Sequence, residues 1–169
     1  MYASVRTRWH LLRVLVVTAG MLVPAAGTAE AVSTDGSVHI LTFADKCFDI
    51  GGASTSDGAP LQQRTCGTQS DQQFKVVDIG DGQVQIETFA NKCLDVRGAD
   101  SSNGVQIQQW ACAGVYNQRF RVTPVGGGEV TITTFADKCF DVRGAGETDG
   151  TAIQQWACYG GYNQRFRIS

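Results

Sequence analysis

One block of sequence is written three times at a constant spacing of 46 residues, with copies beginning near Val38, Val84 and Val130. Each copy reads V-x-I-x-T-F-A-[DN]-K-C-[FL]-D, then a Gly-rich stretch, then Gln-Gln, a second Cys, and finally [DN]-Q-x-F. A strict internal period constrains architecture before local propensity does, because each unit must bury the same face against its neighbours. The second and third copies agree at 26 of 41 aligned positions and the first and third at 19, so the first has drifted furthest. Up to three equivalent pockets follow from such a chain, and the differences between copies indicate which of them work.

The residues ahead of the repeats read differently. Arg6, Arg8 and Arg13 make a basic start, an apolar stretch covers 11–23, and small residues run on to Ala31. This predicts a secretory signal peptide over 1–31, cleaved after Ala29 or Ala31. A membrane anchor fits less well, since Thr18, Gly20 and Pro24 interrupt a stretch that is already short. The remainder, 32–169, suits one domain rather than two, with repeats at 37–82, 83–128 and 129–169. Eleven Lys and Arg stand against fifteen Asp and Glu from residue 32 onward. That balance offers no attraction to nucleic acid or anionic lipid, and no second segment is apolar enough to insert in a membrane.

All six cysteines fall in the repeats: Cys47 and Cys66, Cys93 and Cys112, Cys139 and Cys158. In a secreted, extracellular protein disulfides are the default, and the repeat symmetry selects one bridge within each copy out of the fifteen pairings that six cysteines allow. A zinc site is the alternative, but no C-x-x-C occurs and His39 is the sole histidine after residue 31. No metal and no cofactor is expected.

Alternation of β-branched and polar residues at 38–43, 84–89 and 130–135 predicts a half-buried strand opening each copy. Further strands are expected at 93–96, around Val105, Ile107 and Trp110, and around Phe120 and Val122, with turn-rich loops between. No amphipathic helix is legible after residue 31. Four strands in each of three units predict an all-β, closed, pseudo-threefold β-trefoil with one disulfide per repeat; a propeller would need more blades.

The ordered set C-[FL]-D-V-R-G, Q-x-W-x-C and N-Q-x-F, carried in full by copies two and three, resembles the ricin B-type lectin domain. The same domain occurs as the family-13 carbohydrate-binding modules of bacterial glycosidases. The resemblance covers all three copies. It implies that Asp95, Gln108, Trp110 and Asn117 in the second copy, and Asp141, Gln154, Trp156 and Asn163 in the third, contact sugar. The chemistry agrees. A flat aromatic suits the C–H face of a pyranose, a carboxylate accepts strongly from hydroxyls, and amides both donate and accept. The ligands implied are mono- and oligosaccharides, polysaccharides and glycoconjugates, galactose-type first, then xylan or arabinan.

Tyr116, Tyr159 and Tyr162 are candidates for a second wall of the pockets, and Arg97 and Arg143 for membership of them. Gln118 and Gln164 read as structural braces, and Phe74, Phe120 and Phe166 as core. The first copy keeps Asp49 and Gln62 but has Arg64 where the others have Trp and Asp71 where they have Asn, so a weak or silent site is expected there. An enzyme is not expected: a glycosidase needs two carboxylates roughly 5–10 Å apart across one bond, and each pocket repeats one Asp. A protein-binding trefoil, either a protease inhibitor or a toxin or enzyme accessory subunit, is the competing reading. Oligomeric state is not legible.

Overall fold

The computed structural model describes residues 36–169; the predicted signal peptide at 1–31 lies outside them. Twelve strands form three four-stranded antiparallel sheets. In the first copy these are β1 (Ile40–Leu41), β2 (Lys46–Ile50), β3 (Leu61–Thr65) and β4 (Phe74–Gly80); in the second, β5 (Gln83–Thr88), β6 (Lys92–Val96), β7 (Ile107–Ala111) and β8 (Arg121–Gly126). The third copy contributes β9 (Glu129–Thr133), β10 (Lys138–Val142), β11 (Ile153–Ala157) and β12 (Arg167–Ile168). Helical structure among the described residues is limited to three-residue 3-10 turns. The protein is a β-trefoil.

Sheet boundaries do not follow the sequence copies. β4 pairs with β5 of the next copy, β8 with β9, and β12 with β1, so each sheet takes one strand from the preceding copy. The last pairing closes the barrel and leaves no long edge of this ring unpaired. Within each copy, the opening valine bridges the closing phenylalanine: Val38 to Phe74, Val84 to Phe120, Val130 to Phe166. The opening strand predicted over 38–43 is shorter, because its partner β12 pairs with it only through Arg167 and Ile168, whereas β4 pairs with β5 at six positions.

The interior is a single cluster in which Phe48, Phe74, Phe120, Phe140 and Phe166 are fully buried. Phe48 meets Phe166 edge-on at 5.1 Å between ring centres, and Phe120 meets Phe140 at 5.0 Å. The closing aromatics therefore fill the shared core, as the resemblance to the ricin B-type domain implies. One side chain breaks the threefold symmetry at the end of the barrel. Gln106 Nε2 lies 2.8–2.9 Å from the carbonyls of Leu61, Ile107 and Ile153, equivalent positions in the three copies. Only one amide fits there, and Pro60 and Ala152 occupy the matching positions.

Each copy closes its own disulfide: Cys47–Cys66, Cys93–Cys112 and Cys139–Cys158. Each joins the second strand of its copy to the loop after the third. Closing a loop of about 20 residues contributes roughly 3 kcal/mol in the chain-entropy model. The bridges also tether the segments that carry Asn117 and Asn163 against the sheet.

Candidate functional site

Strand pairing assembles the site. In β6 and β7, Asp95 stands opposite Gln108 and Cys93 opposite Trp110; in β10 and β11, Asp141 stands opposite Gln154 and Cys139 opposite Trp156. With a side-chain period of two, these four residues share the outward face, while Leu94, Val96 and Ile107 of the second copy point into the core. The segment tethered by the disulfide then folds over the outward face and buries the aspartate. Asp95 and Asp141 are 4% and 3% exposed, yet Trp110 and Trp156 remain 44% and 41% exposed. A buried carboxylate beside a half-open indole is an arrangement that core packing alone does not produce.

Each aspartate is held by three amides. Asp95 Oδ1 accepts from Gln108 Nε2 at 3.1 Å, and Oδ2 from Asn117 Nδ2 at 2.8 Å and Gln118 Nε2 at 3.2 Å. Asp141 repeats the pattern with Gln154 at 3.0 Å, Asn163 at 2.9 Å and Gln164 at 3.0 Å. Arg97 Nε donates to Gln108 Oε1 at 3.0 Å, and Arg143 Nε to Gln154 Oε1 at 2.8 Å. The guanidinium thereby fixes which end of each glutamine faces the carboxylate. Burial pushes the Asp95 carboxyl above its ordinary value of 3.8, and the hydrogen bonds from Gln108, Gln118 and Asn117 oppose that rise.

Two cavities result. The larger, about 680 Å³, is lined by Asp95, Arg97, Gln108, Trp110, Val115 and Asn117 among others, and includes Gly58 from the first copy. The other, about 520 Å³, is lined by Asp141, Arg143, Gln154, Trp156, Tyr159 and Asn163, and includes Gly104 from the second copy. All eight residues singled out from the sequence are thus brought together in two groups of four, and Arg97 and Arg143 join them. Tyr159 walls the third-copy cavity. Tyr116 and Tyr162 do not line either cavity, contrary to expectation. Their rings pack edge-on against Phe135 and Phe43 of the neighbouring sheet, each at 4.8 Å, so they face the junction between copies instead.

Two features were not legible in the sequence. The middle Gln of Q-Q-W is fully buried and reaches into the preceding copy: Gln109 Nε2 donates to the carbonyls of Ser54 and Ser56, and Gln155 Nε2 to those of Asp100 and Ser102. This clamp sets Gly58 and Gly104 beneath the indoles. Both glycines have φ of +83°, a conformation that side chains other than glycine rarely adopt, so each cavity depends on a turn in another copy. The doubling of Gln in all three copies was the available signal. Gln118 and Gln164 do brace backbone, accepting from the amides of Ala113 and Tyr159, and also hold the aspartates.

The first copy keeps the scaffold without the opening. Asp49 accepts from Gln62 Nε2 at 2.8 Å and Gln72 Nε2 at 3.1 Å. Its cavity is about 190 Å³, with Arg64, Gln69 and Asp71 in the lining. The Gln69 side chain lies over Gly67, where a Cβ would stand 2.0 Å from Gln69 Oε1. Burial first, and then the charge of Asp49, raise the Asp71 carboxyl above 3.8, while Arg64 pulls it back in part.

An ionised Asp71 therefore costs stability above its raised folded value, and the cost fades as pH falls through that value toward 3.8. Asp71→Asn is expected to stabilise the protein at pH 7 by on the order of 1 kcal/mol. The gain should shrink in thermal melts at pH 4. An equal gain at both pH values would mean that the like charges are not its source. Among the described residues no group of three or more His, Cys, Asp or Glu could hold a metal ion, and no helix is long and apolar enough to cross a membrane.

The profile of the ricin-type β-trefoil lectin domain matches residues 34–166. The chain belongs to this family. Lectin domains of this family are carbohydrate-binding folds, in keeping with the twice-repeated cavity. Among solved structures, the lectin domain resembles ThreeFoil, a designed threefold symmetric protein, at 33% identity and a TM-score of 0.78, covering 79% of this chain and 98% of that one. It also resembles an exo-β-1,3-galactanase from Clostridium thermocellum at 29% identity and a TM-score of 0.77; 82% of this chain is covered, but only 31% of the enzyme. The ricin B-like lectin of Macrolepiota procera, solved with lactose, shares the fold at 17% identity and a TM-score of 0.69, covering 82% and 97%. No curated protein is detectably similar to this chain.

Proposed function

We propose that this lectin is an exported, non-catalytic sugar-binding protein. Its domain spans 32–169, and it works through two shallow pockets, one in the second copy and one in the third. The observation that carries this reading is the exposed indole beside a buried, amide-held carboxylate, present twice with the same partners. Trp110 and Trp156 offer the platform for the C–H face of a pyranose. Asp95 and Asp141, each with its amides oriented in advance, offer acceptors for vicinal hydroxyls. Asn117 and Asn163 act chiefly by aiming those carboxylates, since their Nδ2 groups are already engaged. The first copy is weak or silent because Arg64 supplies no platform and its cavity, lined in part by Gln69, is only about 190 Å³.

Galactose-type sugars are the first candidates, supported by the likeness to a galactanase, with xylan and arabinan next. Three disulfides among the described residues support an oxidising, extracellular setting. Single shallow sites of this kind bind on the order of millimolar, and two on one rigid body strengthen binding to multivalent glycans through effective concentration.

The test is a glycan array with the oxidised protein, followed by competition with free sugar and an assay for sugar release. Glycan binding that free galactose, xylose or arabinose competes away, without turnover, is the expected result. A folded protein that binds no glycan, or whose binding to a protein partner free sugar leaves untouched, overturns the reading.

A further inference from the structure

The two indole cavities differ at a pair of positions in the segment that follows the second cysteine. The second copy reads Cys112-Ala113-Gly114-Val115-Tyr116-Asn117, and the third Cys158-Tyr159-Gly160-Gly161-Tyr162-Asn163. Resting on the sugar-binding reading above, we propose that this exchange divides the ligands. The second-copy cavity takes a pyranose carrying an acetamido group, and the third-copy cavity takes a pyranose carrying hydroxyls alone.

The two differences are one physical event. Gly161 has φ −62° and ψ 155°, and Val115 has φ −76° and ψ 160°. That is extended backbone open to any residue, so Gly161 is not required by its dihedral angles. It is required by Tyr159. A Cβ at Gly161 would stand 2.3 Å from Tyr159 Cε2 and 2.8 Å from Asn163 Oδ1. The tyrosine ring lies across the glycine, and a valine there would expel it. Conversely, with Ala113 in place of the tyrosine, the Val115 side chain lines the larger cavity beside it.

The consequence falls on the asparagine. Tyr159 donates its hydroxyl proton to Asn163 Oδ1 at 2.6 Å, and Asn163 is 4% exposed. Its acceptor is taken, and the pocket gains a phenolic oxygen whose free lone pairs accept from a sugar hydroxyl. Asn117 spends its Nδ2 on Asp95 and on the Val96 carbonyl, but its Oδ1 accepts from no donor among the described residues, and the side chain is only half-buried.

The second-copy cavity therefore presents an unengaged amide oxygen beside the methyl groups of Val115 and Ala113, within reach of the same indole and carboxylate. An acetamido group matches both halves: its N–H donates to the Asn117 oxygen and its methyl rests on the apolar wall. In the third copy the Tyr159 ring fills that space, which accords with the smaller volume.

Trp110 and Trp156 are the two tryptophans of the described residues, so their indole N–H signals report the two cavities separately in one ¹⁵N-labelled sample. The oxidised protein would be titrated with the methyl glycosides of galactose and glucose and with their 2-acetamido-2-deoxy counterparts. The expected result is a preference for the acetamido sugar on the order of tenfold at Trp110, with the opposite order at Trp156. Ala113→Tyr with Val115→Gly should abolish the preference at Trp110, and Tyr159→Ala with Gly161→Val should create one at Trp156. The wild-type titration alone decides the matter if either double variant misfolds. The same ratio at both indoles, or hydroxyl sugars alone binding at both, overturns the division of ligands while leaving sugar binding intact. No shift at either indole with any of these sugars overturns the division, and if the glycan array is also blank, the sugar-binding reading with it.

Discussion

Replacing Trp110 and Trp156 together by alanine is expected to abolish glycan binding while leaving the fold in place. Each indole has more than two-fifths of its surface exposed and neither belongs to the buried cluster, so their loss costs little packing. What disappears is the platform. Removing roughly 80 Å² of apolar contact with a pyranose face forfeits about 2 kcal/mol, some thirtyfold in affinity. A site that starts near millimolar then falls out of measurable range. Either single change should halve the stoichiometry in calorimetry rather than weaken both sites, because the cavities lie in different copies and share no lining residue. Binding that survives the double change would place a working pocket in the first copy and assign Arg64 a role in it.

Asp141→Ala should unsettle the fold as well as the site. The carboxylate is 3% exposed and receives hydrogen bonds from Gln154, Asn163 and Gln164, themselves 5%, 4% and 0% exposed. Alanine leaves three buried amide donors facing a void, and each unsatisfied group costs about 1–3 kcal/mol. Partial rearrangement and water entry bring the net expectation to about 3–5 kcal/mol, a fall of roughly 10 °C in the melting midpoint. Calorimetric melting of the variant beside Trp156→Ala separates the two roles: both lose the third-copy site, but only the aspartate change should lower the midpoint by this amount. If the two melt alike, the amides find other partners and the aspartate serves the ligand alone.

The ring of copies, the bridge within each, and the outward group of Asp, Gln and Trp were legible because they depend on local quantities. Period-two alternation sorts Asp95 from Leu94, and a spacing of 19 residues brings Cys93 to Cys112. Tyr116 and Tyr162 escaped the same logic. Adjacency to Asn117 and Asn163 in sequence suggested a shared pocket, but a 3-10 turn rotates each tyrosine away from the asparagine that follows it, toward a phenylalanine of the next sheet.

The repeat by itself determined a closed all-β ring, since three similar units with one apolar face each have few other ways to bury it. It determined, too, that the first copy departs at the indole and asparagine positions. Only the tertiary structure decided that β12 closes onto β1, that each sheet borrows a strand, and that the floor of each cavity is a glycine from the preceding copy held by Gln109 or Gln155. It alone revealed that Tyr159 and Gly161 form one unit. These are contacts between residues remote in the chain or set by the space one side chain leaves another, and a repeat pattern records which residues recur without recording which of them meet.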